Sequence, residues 1–263
     1  MTDGPSPAPA RAIVNPVSAR DPWDAWRGQT RARVALGRAG SALPTSALLA
    51  FELDHARARD AVHRALDVEA LDADLHALGL ETLRVMSAAK NRATYLLRPD
   101  LGRRLDEASR DALKRRARAS CDVAFVVSDG LSALGVQRHA APFLAAVMPL
   151  LAGLSVGPVV IAEQGRVALG DEIGSLLDAR VVVVAIGERP GLTSPDSLGL
   201  YLTFAPKVGR NDAERNCISN VRLEGLPPAA AAAKLAWLAR VSLRLAISGV
   251  ALKDESGLID ASG

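Results

Sequence analysis

Residues 165–191, GRVALGDEIGSLLDARVVVVAIGERPG, constrain the fold more tightly than any other stretch. A helical pattern runs into an unbroken aliphatic strand and then into a loop rich in glycine and charge. A strand without a polar face must be buried, so the polar loops at Gly165–Val167 and Gly187–Gly191 fall at the edges of a buried sheet. In open α/β sheets the crevice outside the carboxyl ends of the strands is where ligands bind. The segment therefore predicts a pocket.

The surrounding grammar extends the sheet. VAFVVSDG at 123–130 reads as a strand ending in a polar turn, HAAPFLAAVMPLLAGL at 139–154 has helical spacing, and PVVIAEQG at 158–165 is a second strand. With helix 169–178 and strand 180–186 this is βαβαβ, which calls for a parallel sheet. Residues 198–206 add a further strand, and an alanine-rich helix from Pro227 to about Ile247 closes the chain with Gly249 just beyond its end.

Upstream the pattern is helical. Apolar residues recur at three- and four-residue intervals over Thr30–Leu36 and again over Thr45–Leu66, where Thr45 is a candidate cap. A short helix is expected at 68–78, an extended segment at 81–88, and a helix from Pro99 to about Ala119. The proline-rich residues 1–20 read as a disordered arm. The expected fold class is α/β: a Rossmann-like parallel-sheet domain at 121–254, a smaller, mainly helical N-terminal domain at 21–120, and a tail at 255–263.

Composition excludes more than it selects. Hydrophobic residues make up 49% of the chain but aromatics only 3%, so the core must be built from Ala, Val and Leu, which favours close helix packing. A net charge of +3, from 32 basic and 29 acidic residues, is too balanced to argue for nucleic acid. No stretch approaches the length of a membrane span, and the N-terminus lacks the apolar run of a signal peptide. Two cysteines, Cys121 and Cys217, without CxxC spacing indicate neither a disulfide framework nor a zinc site, and fit a reducing cytoplasm.

The chemistry-bearing residues are few. The first strand ends in Ser128-Asp129-Gly130-Leu131-Ser132 instead of the GxGxxG turn of a dinucleotide site. Ser128 and Ser132 can either bind a polar ligand or cap the following helix. His55, His63, His76 and His139 have no i, i+4 partner, so no metal site is expected. A Cys217 nucleophile would lack a base, since no histidine follows residue 139; its thiol is expected to pack closely. Asp171 and Glu172 are explained by the dipole of the helix they open. Glu188 and Arg189 at a strand's carboxyl end admit two readings: an ion pair within the loop, or a carboxylate that accepts ligand hydroxyls, with Gly187 and Gly191 letting ligand and backbone come close. The alanine-rich helix and the basic helix at 103–118 are either docking faces of an interaction module or ordinary core and solvated faces.

GRAGSALPT at 38–45, DHARARDAV at 54–62, RPDLGRRL at 98–105, SDGLSA at 128–133, GRVALGDEIG, IGERPGL, SPDSLG, RNCISN and SGVALK, in this order, closely resemble the ethanolamine ammonia-lyase small (light) subunit from about residue 31 to 253. The resemblance implies an adenosylcobalamin-dependent lyase that converts ethanolamine to acetaldehyde and ammonia by radical rearrangement. It implies a TIM-barrel large subunit that holds the substrate, and a small subunit that encloses cobalamin at the interface and is inactive alone. It carries cobalamin contacts to Val167, Glu188 and Cys217, places no catalytic residue on this chain, and no cobalt ligand, since a DxHxxG motif is missing. Localisation is expected to be cytoplasmic; a place in a bacterial microcompartment is the alternative, and the short, proline-rich arm, in place of an amphipathic helix, counts against it.

Overall fold

Aliphatic runs bounded by turns form the centre of the computed structural model, which describes residues 23–30, 32–116 and 120–257. The expected arm at 1–20, and residues 258–263 of the expected tail, lie outside the described residues. In chain order the elements are α1 (Asp24–Arg27), α2 (Thr45–His63), α3 (Val68–Ala77), β1 (Thr82–Met86), α4 (Arg92–Leu97), α5 (Glu107–Arg116), β2 (Cys121–Ser128), α6 (Ala133–Val147), β3 (Val159–Glu163), α7 (Leu169–Leu176), β4 (Ala179–Gly187), β5 (Leu198–Phe204), β6 (Arg215–Val221) and α8 (Pro228–Leu245). The chain divides between His55 and Ala56 into two compact units. In the first, Arg33 donates to Asp54 at 2.6 Å and lies over the Phe51 ring.

The second unit holds a six-stranded sheet in the order β1-β3-β2-β4-β5-β6. β1, β3, β2 and β4 run parallel; Val126 at the centre sits opposite Val160 on one side and Val184 on the other. β5 and β6 are antiparallel, so the sheet is mixed and not parallel throughout as expected. The reason is local. Residues 188–197 contain no helix, and a parallel return needs a crossover of a dozen or more residues.

The alternation of each central strand feeds two cores. Val123, Phe125 and Val127 of β2 and Val181, Val183 and Ala185 of β4 pack with α3, α6 and α8, where Phe125 meets Phe143 edge to face. Ala124, Val126, Val182 and Val184 pack with Leu113 of α5 and Leu169 and Ile173 of α7. Each fully buried Val or Leu contributes about 1.5–3 kcal/mol relative to exposure. On the first face the buried Ala140 of α6 and Ala231, Ala232, Ala236 and Ala239 of α8 supply the small side chains that close helix packing requires.

Three expected helices are corrected. Residues 32–38 are not helical: Ala35 and Gly37 adopt φ of 53° and 77°, a left-handed backbone that ends any right-handed turn; residue 31 lies outside the described residues. The expected helix at 99–119 begins only at Glu107, because Asp106 caps it, its carboxylate accepting from Ser109 N at 2.7 Å, while buried Leu105 is bridged to Ser87 beside β1. The helix expected to start at 139 begins at Ala133, capped by Ser132.

Candidate functional site

The connection leaving β2 leads to β3, and that leaving β4 leads to β5 on the opposite side. The carboxyl ends of these neighbouring strands therefore flank a point where the chain diverges, the usual place for a ligand crevice. A cavity of about 410 Å³ opens there, lined by Gly130 and Leu131 after β2, Ile186 to Arg189 at the end of β4, Arg166 and Val167 before α7, Tyr95 and Tyr201. The two polar loops singled out in the sequence thus meet in one cavity.

The loops after β2 and β4 touch backbone to backbone. A Cβ on Gly187 would sit 2.0 Å from the carbonyl oxygen of Ser132, and one on Gly130, at φ +54°, would sit 2.3 Å from that of Gly187. The space at Gly187 is thus filled by the protein itself and not held open for a ligand, and Gly191 sits exposed in a small turn with Ser194. Ser132 resolves to a cap: its Oγ accepts from Gly135 N and donates to Pro195 O at 2.7 Å, tying the loop 188–197 to α6. Arg138 binds Asp196 of the same loop at 2.6 Å. Ser128 is buried and donates to Asp129, so it caps nothing.

Glu188 and Arg189 form no ion pair. Glu188 Oε2 accepts instead from the backbone N–H of Asn220 at 3.1 Å. The register of β6 slips between Leu198 and Leu200 of its partner, and Asn220 stands at φ +59°; this irregularity turns the amide toward the carboxylate. Gly199 leaves room for Glu188, since a Cβ there would come 3.0 Å from Oε1. One rung further, Tyr201 of β5 sits opposite Cys217 of β6. Desolvation pushes the Cys217 thiol up, while Tyr201 pulls the other way, so the thiol stays protonated at neutral pH. The close packing expected for Cys217 is met only on the Tyr201 side; the residue is otherwise exposed. Val167 and Glu188 line the cavity, and Cys217 lies one strand beyond it.

A second cluster was not visible in the sequence. α4, capped by Asn91, brings Arg92 and Tyr95 to the end of β2. Arg92 donates to Gly130 O at 2.7 Å and lies 3.4 Å from Asp129. The Asp129 carboxylate is pushed up to about 6, chiefly by burial, against the pull of Arg92 and of Gly165 N. Tyr95 is wholly buried, donates to Gly165 O at 3.1 Å, and its hydroxyl is pushed up to about 12 by burial. Arg92 and Arg166 both lie over its ring, at 4.8 and 4.2 Å from the centroid.

Asp171 and Glu172 do more than complement a helix dipole. Asp171 takes a bidentate pair of bonds from Arg215 at 2.6 and 2.7 Å, both side chains almost fully buried, and Thr203 Oγ1 accepts a third. Glu172 accepts from Leu105 N and Arg110. Among the described residues no three His, Cys, Asp or Glu side chains group to hold a metal, and no helix is long and apolar enough to cross a membrane.

Comparison with known proteins places this architecture. The family described as "Ethanolamine ammonia-lyase light chain (EutC)" matches residues 20–253. Proteins named "Ethanolamine ammonia-lyase small subunit" are similar along nearly the whole length. The one from Pseudomonas syringae pv. tomato is 54% identical, covering 96% of this chain and 90% of its own; that from Bradyrhizobium diazoefficiens is 56% identical, covering 93% and 95%. One from Ralstonia nicotianae is 55% identical, covering 97% and 94%. A family match over residues 20–253 and relatives more than half identical across nearly all of both chains lead to one conclusion: the chain belongs to the ethanolamine ammonia-lyase small-subunit family.

Proposed function

We propose that this chain is the cofactor-enclosing subunit of an adenosylcobalamin-dependent ethanolamine ammonia-lyase, and that its Rossmann-like sheet presents the cavity described above to cobalamin at the interface with a TIM-barrel large subunit. The observation that carries this reading is the convergence of Val167 and Glu188 on one cavity at the carboxyl ends of β3 and β4, with Cys217 one strand away. The residues fit such a ligand. Leu131, Val167 and Ile186 offer apolar contact to a macrocycle, and Glu188 offers a directional acceptor for an amide or hydroxyl. A corrinoid is far larger than about 410 Å³, so this chain supplies one wall and the large subunit the remainder.

When bound, the cofactor supplies the radical chemistry that turns ethanolamine into acetaldehyde and ammonia. The residues of this chain bind and orient. Glu188 is held by Asn220 with an oxygen left for the ligand, and the Tyr201–Cys217 rung extends the wall with groups that stay protonated at neutral pH. Both cysteines are free thiols, as suits a cytoplasmic protein.

The test is a spectrophotometric titration of the assembled complex with cobalamin. Removing the acceptor by Glu188→Ala costs a charge-assisted bond of about 1.5–3 kcal/mol, so affinity falls by about tenfold or more while the subunits still assemble. Unchanged affinity removes Glu188 from the site. Ethanolamine turnover by this chain without a large subunit contradicts the division of labour.

A further inference from the structure

The cavity carries more positive charge than its one lining carboxylate answers. Arg166 and Arg189 both line it, and among the described residues neither has a carboxylate within ion-pair distance; Glu188 is engaged by Asn220. The arginines set nearby are treated differently, since Arg92 faces Asp129 and Arg215 grips Asp171. Arg166 is nonetheless held in place. Its backbone N–H donates to Gly102 O at 2.8 Å, its Nη2 donates to Tyr95 O at 3.2 Å, and its guanidinium rests 4.2 Å from the centroid of the Tyr95 ring, which it shares with Arg92. Two cations on one buried ring repel, and only Arg92 is neutralised locally.

A planar, pre-positioned guanidinium without an anionic partner is suited to an oxyanion. We propose that Arg166, with Arg189 at the rim, forms an anion subsite of this cavity and takes a phosphate group. This rests on the cofactor reading above, under which the group is the phosphodiester of the cobalamin nucleotide loop, the anionic group such a molecule carries. Free inorganic phosphate has the same chemistry and is the other source.

The experiment compares cobalamin with cobinamide, which keeps the corrin ring but lacks the nucleotide and its phosphodiester, by absorbance titration of the assembled complex, with inorganic phosphate titrated separately by calorimetry. The wild type should prefer cobalamin. Arg166→Gln should weaken cobalamin by about tenfold or more and leave cobinamide unchanged, so that the preference collapses. Arg189→Gln, at an exposed position that cannot disturb folding, should reduce the same preference by about threefold. Equal weakening of both corrinoids, or of neither, overturns the subsite while the cofactor reading stands. A wild type that binds phosphate through Arg166 but neither corrinoid keeps the subsite, assigns it to free phosphate and overturns the cofactor reading.

Discussion

Arg166, just before α7, and Arg215, at the start of β6, are held in opposite circumstances. Arg215 is buried with its two terminal nitrogens on the Asp171 carboxylate and a third bond to Thr203. Arg166 is half-buried, placed by a ring and two carbonyl oxygens, and faces no carboxylate. One cluster is electrically closed and fastens α7 to β6; the other is open and borders the cavity. A charge taken out of water thus means different things according to whether the chain itself supplies the counter-charge.

The largest effect should come from opening the closed cluster. Asp171→Ala leaves Arg215 buried without its anion, and we expect a loss of about 3–5 kcal/mol, read as a lowered denaturant midpoint at unchanged slope. A loss below about 1 kcal/mol would show that water or Asp212 substitutes, and the contrast would lose one side. Next comes Asp129, whose carboxyl is raised to about 6 from an ordinary 3.8. Such a group binds its proton more tightly when folded. Its contribution to stability is therefore greatest below about pH 4, falls as pH rises to about 6, and is flat above. Relative to Asp129→Asn, wild-type stability should decline through that window by up to about 3 kcal/mol, measured as the difference in unfolding free energy at successive pH values. A difference that instead grows with pH would mean that Arg92 outweighs burial and the cavity cluster is closed after all. The smallest effect belongs to Arg138→Ala. This more than half-exposed clip on Asp196 should be worth under about 1 kcal/mol and shift Tm by at most about 4 °C. A larger shift would place the loop 188–197 with the closed cluster as part of the frame.

The sequence spoke clearly where burial is continuous and faintly where it is interrupted. β2, β3 and β4 were legible because their residues are aliphatic on both faces, and the Ser132 cap is local chemistry. β6 was hidden, since its slipped register buries Arg215, Ile218 and Val221 at intervals of three instead of two. Glu188 could be singled out physically as a carboxylate at a strand end; Val167 and Cys217 came only with the family resemblance. Arg92, Tyr95 and Asp129 gave no signal, because their meaning lies in contacts between α4 and the end of β2 that only folding brings together. Arg166 had one available clue, its place beside Val167.

The backbone contact between Gly130 and Gly187 has a dynamic consequence. Leu131 N donates to Gly187 O between the two loops, and Glu188 N donates to Ser197 O within the second, so the contact is made backbone to backbone beside the Ile186 side chain. With the two loops joined through their backbones, an incoming ligand meets a cavity floor already set, and little of its binding free energy is lost to ordering loops.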